Sequence, residues 1–166
     1  ERSKRLAGPE GIDAALSQHG VDALIADPDL PRNIPIARLV DPLMADRMAE
    51  YVCATVLHHH LGLDRYDRQQ ARKFWQRHPT TDARDRTVAL LGLGQMGQRC
   101  AKRLGALGFN LLGWSRAAKN IDGVQCSHGA ERLAAMLAQA SITVLLLPLT
   151  EQTDGLMDRA AFDAMP

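Results

Sequence analysis

Three glycines at fixed spacing carry the first chemical signal in this chain. The stretch Thr87–Ala101, TVALLGLGQMGQRCA, runs from an apolar β-type segment directly into Gly92, Gly94 and Gly97, and then into a helical pattern. Strand, glycine turn and helix in that order are what a dinucleotide-binding turn requires. Gly92 allows the tight turn, Gly94 lets the backbone approach a pyrophosphate, and Gly97 lets the helix pack closely on the strand. Free N–H groups at the start of the helix, at Gln95 and Met96, face the anion, and the macrodipole adds to the attraction. This is binding chemistry with no reacting side chain. A purely structural glycine-rich turn is the competing explanation, and GxGxxG by itself does not separate the two. The matching flanks favour the cofactor.

The second signal follows at the end of the next apolar segment. Asn110–Trp114 runs into Ser115 and Arg116, with Lys119 close behind. In a dinucleotide fold this strand end faces the adenosine ribose, where a carboxylate about 20 positions after the glycines binds the 2′-hydroxyl of NAD. No carboxylate stands here to repel a 2′-phosphate, and a guanidinium suits one. Trp114, Ser115, Arg116 and Lys119 are therefore expected to line the ribose end of a site that prefers NADP(H) over NAD(H). A solvated surface arginine is the plainer alternative. A later apolar run, Ile142–Leu147, continues into Pro148, Leu149 and Thr150. The carboxyl end of such a strand borders the ligand crevice of an open α/β sheet. Leu147, Pro148 and Leu149 are expected to wall the nicotinamide side, and Thr150 or Thr153 to touch a phosphate or ribose. Capping of the next helix explains either threonine as well.

No side chain offers itself as a catalytic acid, base or metal ligand. His58, His59 and His60 are consecutive, so on a helix they point in different directions and do not converge on one ion. His19, His78 and His128 have no orienting partner that the sequence identifies, which a general acid needs.

The elements that must position these residues alternate. Residues 1–40 are loop-rich with Asp-Pro breakers and a short strand near Ile34–Val40. A long helix is expected over 42–74, with Met44, Met48, Tyr51/Val52, Thr55/Val56 and His59 on its buried face and Tyr66 and Trp75 as anchors. A helix of that length is expected to reach a partner subunit. After a polar connector come strands at Thr87–Leu91, Asn110–Trp114, Val124–Cys126 and Ile142–Leu147, with helices over Met96–Leu107, ended by Gly108, and Glu131–Gln139. Strands alternating with helices imply a parallel α/β sheet with right-handed crossovers.

Bulk properties agree with a globular protein of about one domain. The chain has 166 residues, 46% hydrophobic and 23% charged, with a formal net charge of +1. There is no basic stripe interleaved with aromatics, so nucleic-acid binding has no electrostatic support. No apolar run reaches transmembrane length, and ERSKRLAGPEG at the N-terminus lacks a signal-peptide core. Cys53, Cys100 and Cys126 are scattered and odd in number, as expected of reduced thiols in a cytoplasmic protein.

GLGQMGQRCAKRLGALGFNLLGWSR followed by LLLPLTEQTDGL resembles the D-isomer-specific 2-hydroxyacid dehydrogenases, and within them the NADPH-dependent glyoxylate/hydroxypyruvate reductase branch. GVDALIADPDLP, IPIARLVDP, MAEYV and RYDRQQARKFW resemble that branch too. The resemblance implies a Rossmann-type doubly wound parallel sheet, its first half in order 3-2-1-4. It implies an NAD(P)-binding domain over 41–166 and a remnant of the substrate domain over 1–40. It also implies NADPH-dependent reduction of a small 2-keto acid to the 2-hydroxy acid, and a homodimer in the complete protein. The family's catalytic Arg, Glu and His fall after the fourth strand and its following helix. The chain is therefore expected to hold a cofactor site without that triad and to be inert by itself. LSQHGVD, Leu16–Asp22, departs from the family's glycine-rich carboxylate loop, and Glu1–Ala15 matches nothing in it. Two alternatives stand beside this reading. One is a 3-hydroxyisobutyrate-type β-hydroxyacid dehydrogenase, whose GLGxMG motif opens the chain. The other is a non-catalytic dinucleotide-sensing module, since this fold is also used for binding alone.

Overall fold

A computed structural model describes residues 42–166 of the chain. The substrate-domain remnant expected over 1–40, with its Ile34–Val40 strand and the Leu16–Asp22 loop, lies outside the described residues. Leu43–Pro166 form one compact unit. Its centre is β1 (Thr87–Leu91), flanked by β2 (Asn110–Ser115) and β4 (Ile142–Leu145), with β3 (Gln125–His128) outside β2. All pairings are parallel and the order is β3-β2-β1-β4, as expected for the first half of a doubly wound sheet. β1 is a run of apolar residues because helices cover both faces of the sheet. Val88 and Leu90 point into one core with Leu111, while Ala89 and Leu91 point into the other with Leu112 and Trp114.

The first core is closed by α1 (Pro42–Leu61) and α3 (Gln95–Ala106), which follows the glycine turn. The second core is closed by α4 (Leu133–Leu137) and α5 (Arg159–Asp163). Leu90, Leu91 and Leu104 are fully buried, which is worth about 1.5–3 kcal/mol for each side chain relative to exposure. Gly108, at φ 92°, ends the approach from α3 to β2 in the left-handed region that favours glycine.

Two expectations about the long helix are corrected. It does not run unbroken from 42 to 74. α1 stops at Leu61, Gly62 takes φ 64°, and a separate α2 spans Leu63–Ala71. Gly62 donates its N–H to the carbonyl of His59 at 3.2 Å and accepts from Arg65 at 3.0 Å, which turns the chain. Trp75 lies beyond α2, 81% exposed, and stacks on Tyr66 with ring centroids 6.3 Å apart. The buried face of α1 is rotated only in its first half: Val52 and Val56 lie on it as expected, while Ala45 and Ala49 take the places expected of Met44 and Met48. Ala45, Ala49, Val52 and Val56 face the core, whereas Met44 and Tyr51 are 49% and 68% exposed. The small alanines let α1 lie close to α3, and that rotation brings Asp46 within 2.7 Å of Arg99 and 3.2 Å of Arg103. Smaller differences fall at element ends. β3 starts at Gln125, β4 ends at Leu145, and the helix expected over Glu131–Gln139 is a 3-10 turn at Ala130–Arg132 leading into the single helical stretch of α4.

Candidate dinucleotide site

The site is assembled at the carboxyl edge of the sheet, where β1 enters the glycine turn. Gly92 is buried at φ 109°, and its N–H donates to the Trp114 carbonyl at 2.9 Å. A Cβ there would lie 2.8 Å from the Leu146 carbonyl oxygen, so both the backbone angle and the space exclude a side chain. Gly97 is buried in the first turn of α3, and a Cβ on it would collide with the carbonyl oxygen of Gly92. The helix therefore rests directly on the turn. Gly94 differs. It caps α3 with φ −73° and ψ −164°, which any residue adopts, and a Cβ there would meet nothing within 4 Å. The protein itself makes no demand for glycine at this position. The open space before the N–H groups of Gln95 and Met96 is what a closely approaching phosphate needs, so the residues present fit a dinucleotide.

Leu93 joins the turn to the segment after β2. Its carbonyl oxygen accepts from the Lys119 ammonium at 2.7 Å and from the Gln98 side chain at 3.2 Å. Its buried side chain stands against Gly113, where a Cβ would lie 2.8 Å from it. Lys119 is thereby held beside the glycine turn. Ser115 is buried and donates to the Ala117 carbonyl at 2.7 Å, shaping the bend after β2. Arg116 is exposed and donates from its guanidinium to the side-chain oxygen of Gln152. Trp114, expected at the ribose end, is turned away from it. It is 4% exposed in the second core, and its indole N–H donates to the Gly129 carbonyl at 2.8 Å. Its side chain belongs to the core, because side chains alternate along β2 and the aromatic one lies on the face covered by α4.

On the β4 side, Leu147 approaches Gly92 and packs on the second core, whereas Leu149 is 83% exposed. The threonines do not cap a helix. The Thr153 hydroxyl donates to the Pro148 carbonyl at 2.6 Å and accepts the Thr150 N–H at 2.9 Å, closing a tight turn. Thr150 Oγ1 lies 3.0 Å from it. The cap of α5 is Asp158, which accepts from the Ala161 N–H at 2.8 Å. Capping needs an oxygen just before the helix, and the turn places both threonines too early in the chain.

Gln98, Gly113 and Gln152 were not anticipated. A glycine inside an apolar strand was the available signal for Gly113. The two glutamines carried none: Gln98 reaches back from α3 to the turn five residues earlier, and Gln152 meets Arg116 only because the fold joins their loops. The histidine run is not a cluster: His60 packs edge-on against Phe109 at 5.0 Å, while His58 and His59 meet edge to face at 5.6 Å. Among the described residues no group of three His, Cys, Asp or Glu side chains is placed to hold a metal. Burial pushes the Cys100 thiol up to about 11, so it stays protonated between α3 and the core.

The arrangement is a positively charged helix terminus and two cations around a glycine turn, and residues 53–166 match the model of the "D-isomer specific 2-hydroxyacid dehydrogenase, NAD binding domain". The chain belongs to the D-isomer specific 2-hydroxyacid dehydrogenase family. The match takes in every site residue described above, and it sets aside the 3-hydroxyisobutyrate-type alternative. Among relatives in this family, glyoxylate/hydroxypyruvate reductase A of Yersinia enterocolitica is 36% identical over 151 residues, covering 88% of this chain and 48% of that protein. A crystal structure of a D-isomer specific 2-hydroxyacid dehydrogenase from Xanthobacter autotrophicus Py2, in complex with NADPH and MES, superposes with TM-score 0.80 at 38% identity, over 84% of this chain and 57% of that one. The NADPH-dependent glyoxylate/hydroxypyruvate reductase of Sinorhizobium meliloti, in complex with NADP and sulfate, superposes with TM-score 0.78 at 36% identity, over 83% of this chain and 43% of that one. The chain spans about half the length of the curated 2-hydroxyacid dehydrogenase relatives it matches.

Proposed function

We propose that the chain is the cofactor-holding part of an NADPH-dependent reductase of small 2-keto acids, of the glyoxylate or hydroxypyruvate kind, yielding the 2-hydroxy acid. The observation that carries this is the ribose end: Arg116 and Lys119 stand where an NAD-selective site has a carboxylate, and Lys119 is fastened to the glycine turn through Leu93. Relatives described as NADPH-dependent or crystallised with NADPH support it. When bound, the cofactor would supply a hydride to the keto carbon. The residues of this chain hold and orient. The N–H groups at the start of α3 take the pyrophosphate, Lys119 and Arg116 take the 2′-phosphate, and Leu147 with Pro148 walls the crevice. None of the described residues is assigned a catalytic role. Free Cys53, Cys100 and Cys126 support a cytoplasmic setting. The exposed Met44, Met48 and Tyr51 of α1 support a homodimer in the complete protein, which light scattering would register as a doubled mass.

Fluorescence titration of the chain with NADPH and NADH tests the cofactor assignment. NADPH is expected to bind more tightly, and Arg116→Asp to reverse the order by repelling the 2′-phosphate. An unchanged preference in Arg116→Asp would refute the role of Arg116. With glyoxylate added, the 166 residues are expected to bind NADPH without oxidising it. Steady turnover would place the acid and base within this chain.

A further inference from the structure

The contact between Arg116 and Gln152 joins two loops that the sheet holds apart. Parallel strands deliver their carboxyl ends to one edge, and β1 lies between β2 and β4. Neighbouring strands are spaced at about 4.8 Å, so the ends of β2 and β4 stand roughly 10 Å apart. Arg116 follows β2 directly, and Gln152 sits in the turn after β4. Their hydrogen bond therefore links the segment after β2 to the turn after β4, across the end of the intervening β1. The Gln152 end sits in a closed turn, because Thr153, which follows it, is hydrogen-bonded back to Pro148 and Thr150, which precede it.

The chemistry of the partner matters. A carboxylate at residue 152 would neutralise the guanidinium. An amide oxygen accepts one N–H and leaves the charge and the remaining donors of Arg116 available. An exposed arginine otherwise loses rotamer freedom when a ligand immobilises it, and a contact formed beforehand reduces that loss. We propose that Gln152 is a positioning residue that sets cofactor specificity: it reaches across the crevice from the β4 turn and holds the still-charged Arg116 guanidinium where the 2′-phosphate of NADPH arrives. The proposal rests on the cofactor assignment above.

The test is a double-mutant cycle on the 166-residue chain, with dissociation constants for NADPH and NADH read by fluorescence and melting temperatures compared without ligand. Gln152→Met keeps the volume of the side chain and removes the acceptor. It is expected to weaken NADPH about fivefold and to leave NADH within about twofold, at an unchanged melting temperature. In an Arg116→Met background the same substitution is expected to do nothing further. Gln152→Glu, which keeps an acceptor but adds a negative charge, is expected to weaken NADPH more than Gln152→Met does. Equal weakening of both dinucleotides, no change in NADPH, or tighter NADPH binding in Gln152→Met would overturn the proposal. Tighter binding would mean that Gln152 competes with the phosphate. A parent chain that binds neither dinucleotide is a different failure, because it removes the cofactor assignment itself.

Discussion

At the scale of single residues, the three motif glycines answer to different demands, and this separates folding from binding. Gly97 is required by the protein, since a Cβ would strike the Gly92 carbonyl, whereas Gly94 has open space before it. Gly97→Ala is expected to destabilise the chain by about 1–3 kcal/mol through overpacking, visible as a lower melting temperature. Gly94→Ala is expected to melt with the parent chain and yet to lose most NADPH binding, because the methyl occupies the phosphate's approach. If Gly94→Ala bound NADPH normally, the pyrophosphate would not lie against that backbone. The glycine spacing and the cations Arg116 and Lys119 were legible because each is a property of a short segment. Trp114 was misjudged because adjacency to a site in the chain does not say which face of a strand a side chain takes.

At the scale of elements, the strands and their polarity were readable from apolar runs bounded by turn residues, and the fault lay in the helix before them. A spacing of three to four residues recurs along both Met44-Met48 and Ala45-Ala49, and both lead into Val52 and Val56, which are buried as expected. The larger residues looked like the core face, but the smaller ones occupy it. The ion pairs of Arg99 and Arg103 with Asp46, and of Arg103 with Glu50 at 3.3 Å, agree with the alanine face. The break at Gly62 is a local conformational fact with a test. Its φ of 64° costs an L-residue about 1–2 kcal/mol, so Gly62→Ala is expected to lower stability by about that amount in thermal denaturation. An equal or higher melting temperature would mean that α1 and α2 tolerate merging into one helix.

At the scale of the whole molecule, the core between the sheet, α1 and α3 links pH to stability through Cys100. Burial raises its thiol from the ordinary 9.0 to about 11, so the folded protein holds that proton more tightly than the unfolded chain. The stabilisation is complete below pH 9.0 and declines as pH rises towards 11, while the unfolded thiol ionises and the folded one does not. Denaturant midpoints are expected to fall over that window, and Cys100→Ala, although less stable throughout, is expected to show a shallower fall. Equal slopes in the two proteins would contradict this link.

The glycine turn, the lack of a carboxylate between Trp114 and Lys119, the strand–helix alternation and the family resemblance can all be read along the chain. Each of these is carried by short-range spacing and residue type, which backbone geometry converts directly into local structure. Packing in three dimensions settled the rest: that Ala45 and Ala49 line the buried face of α1, that Trp114 serves the core, that Lys119 and Gln98 meet on the Leu93 carbonyl, and that Arg116 and Gln152 join across β1. Those facts depend on parallel strands bringing distant loops to one edge, and on close packing selecting among equally periodic helix faces.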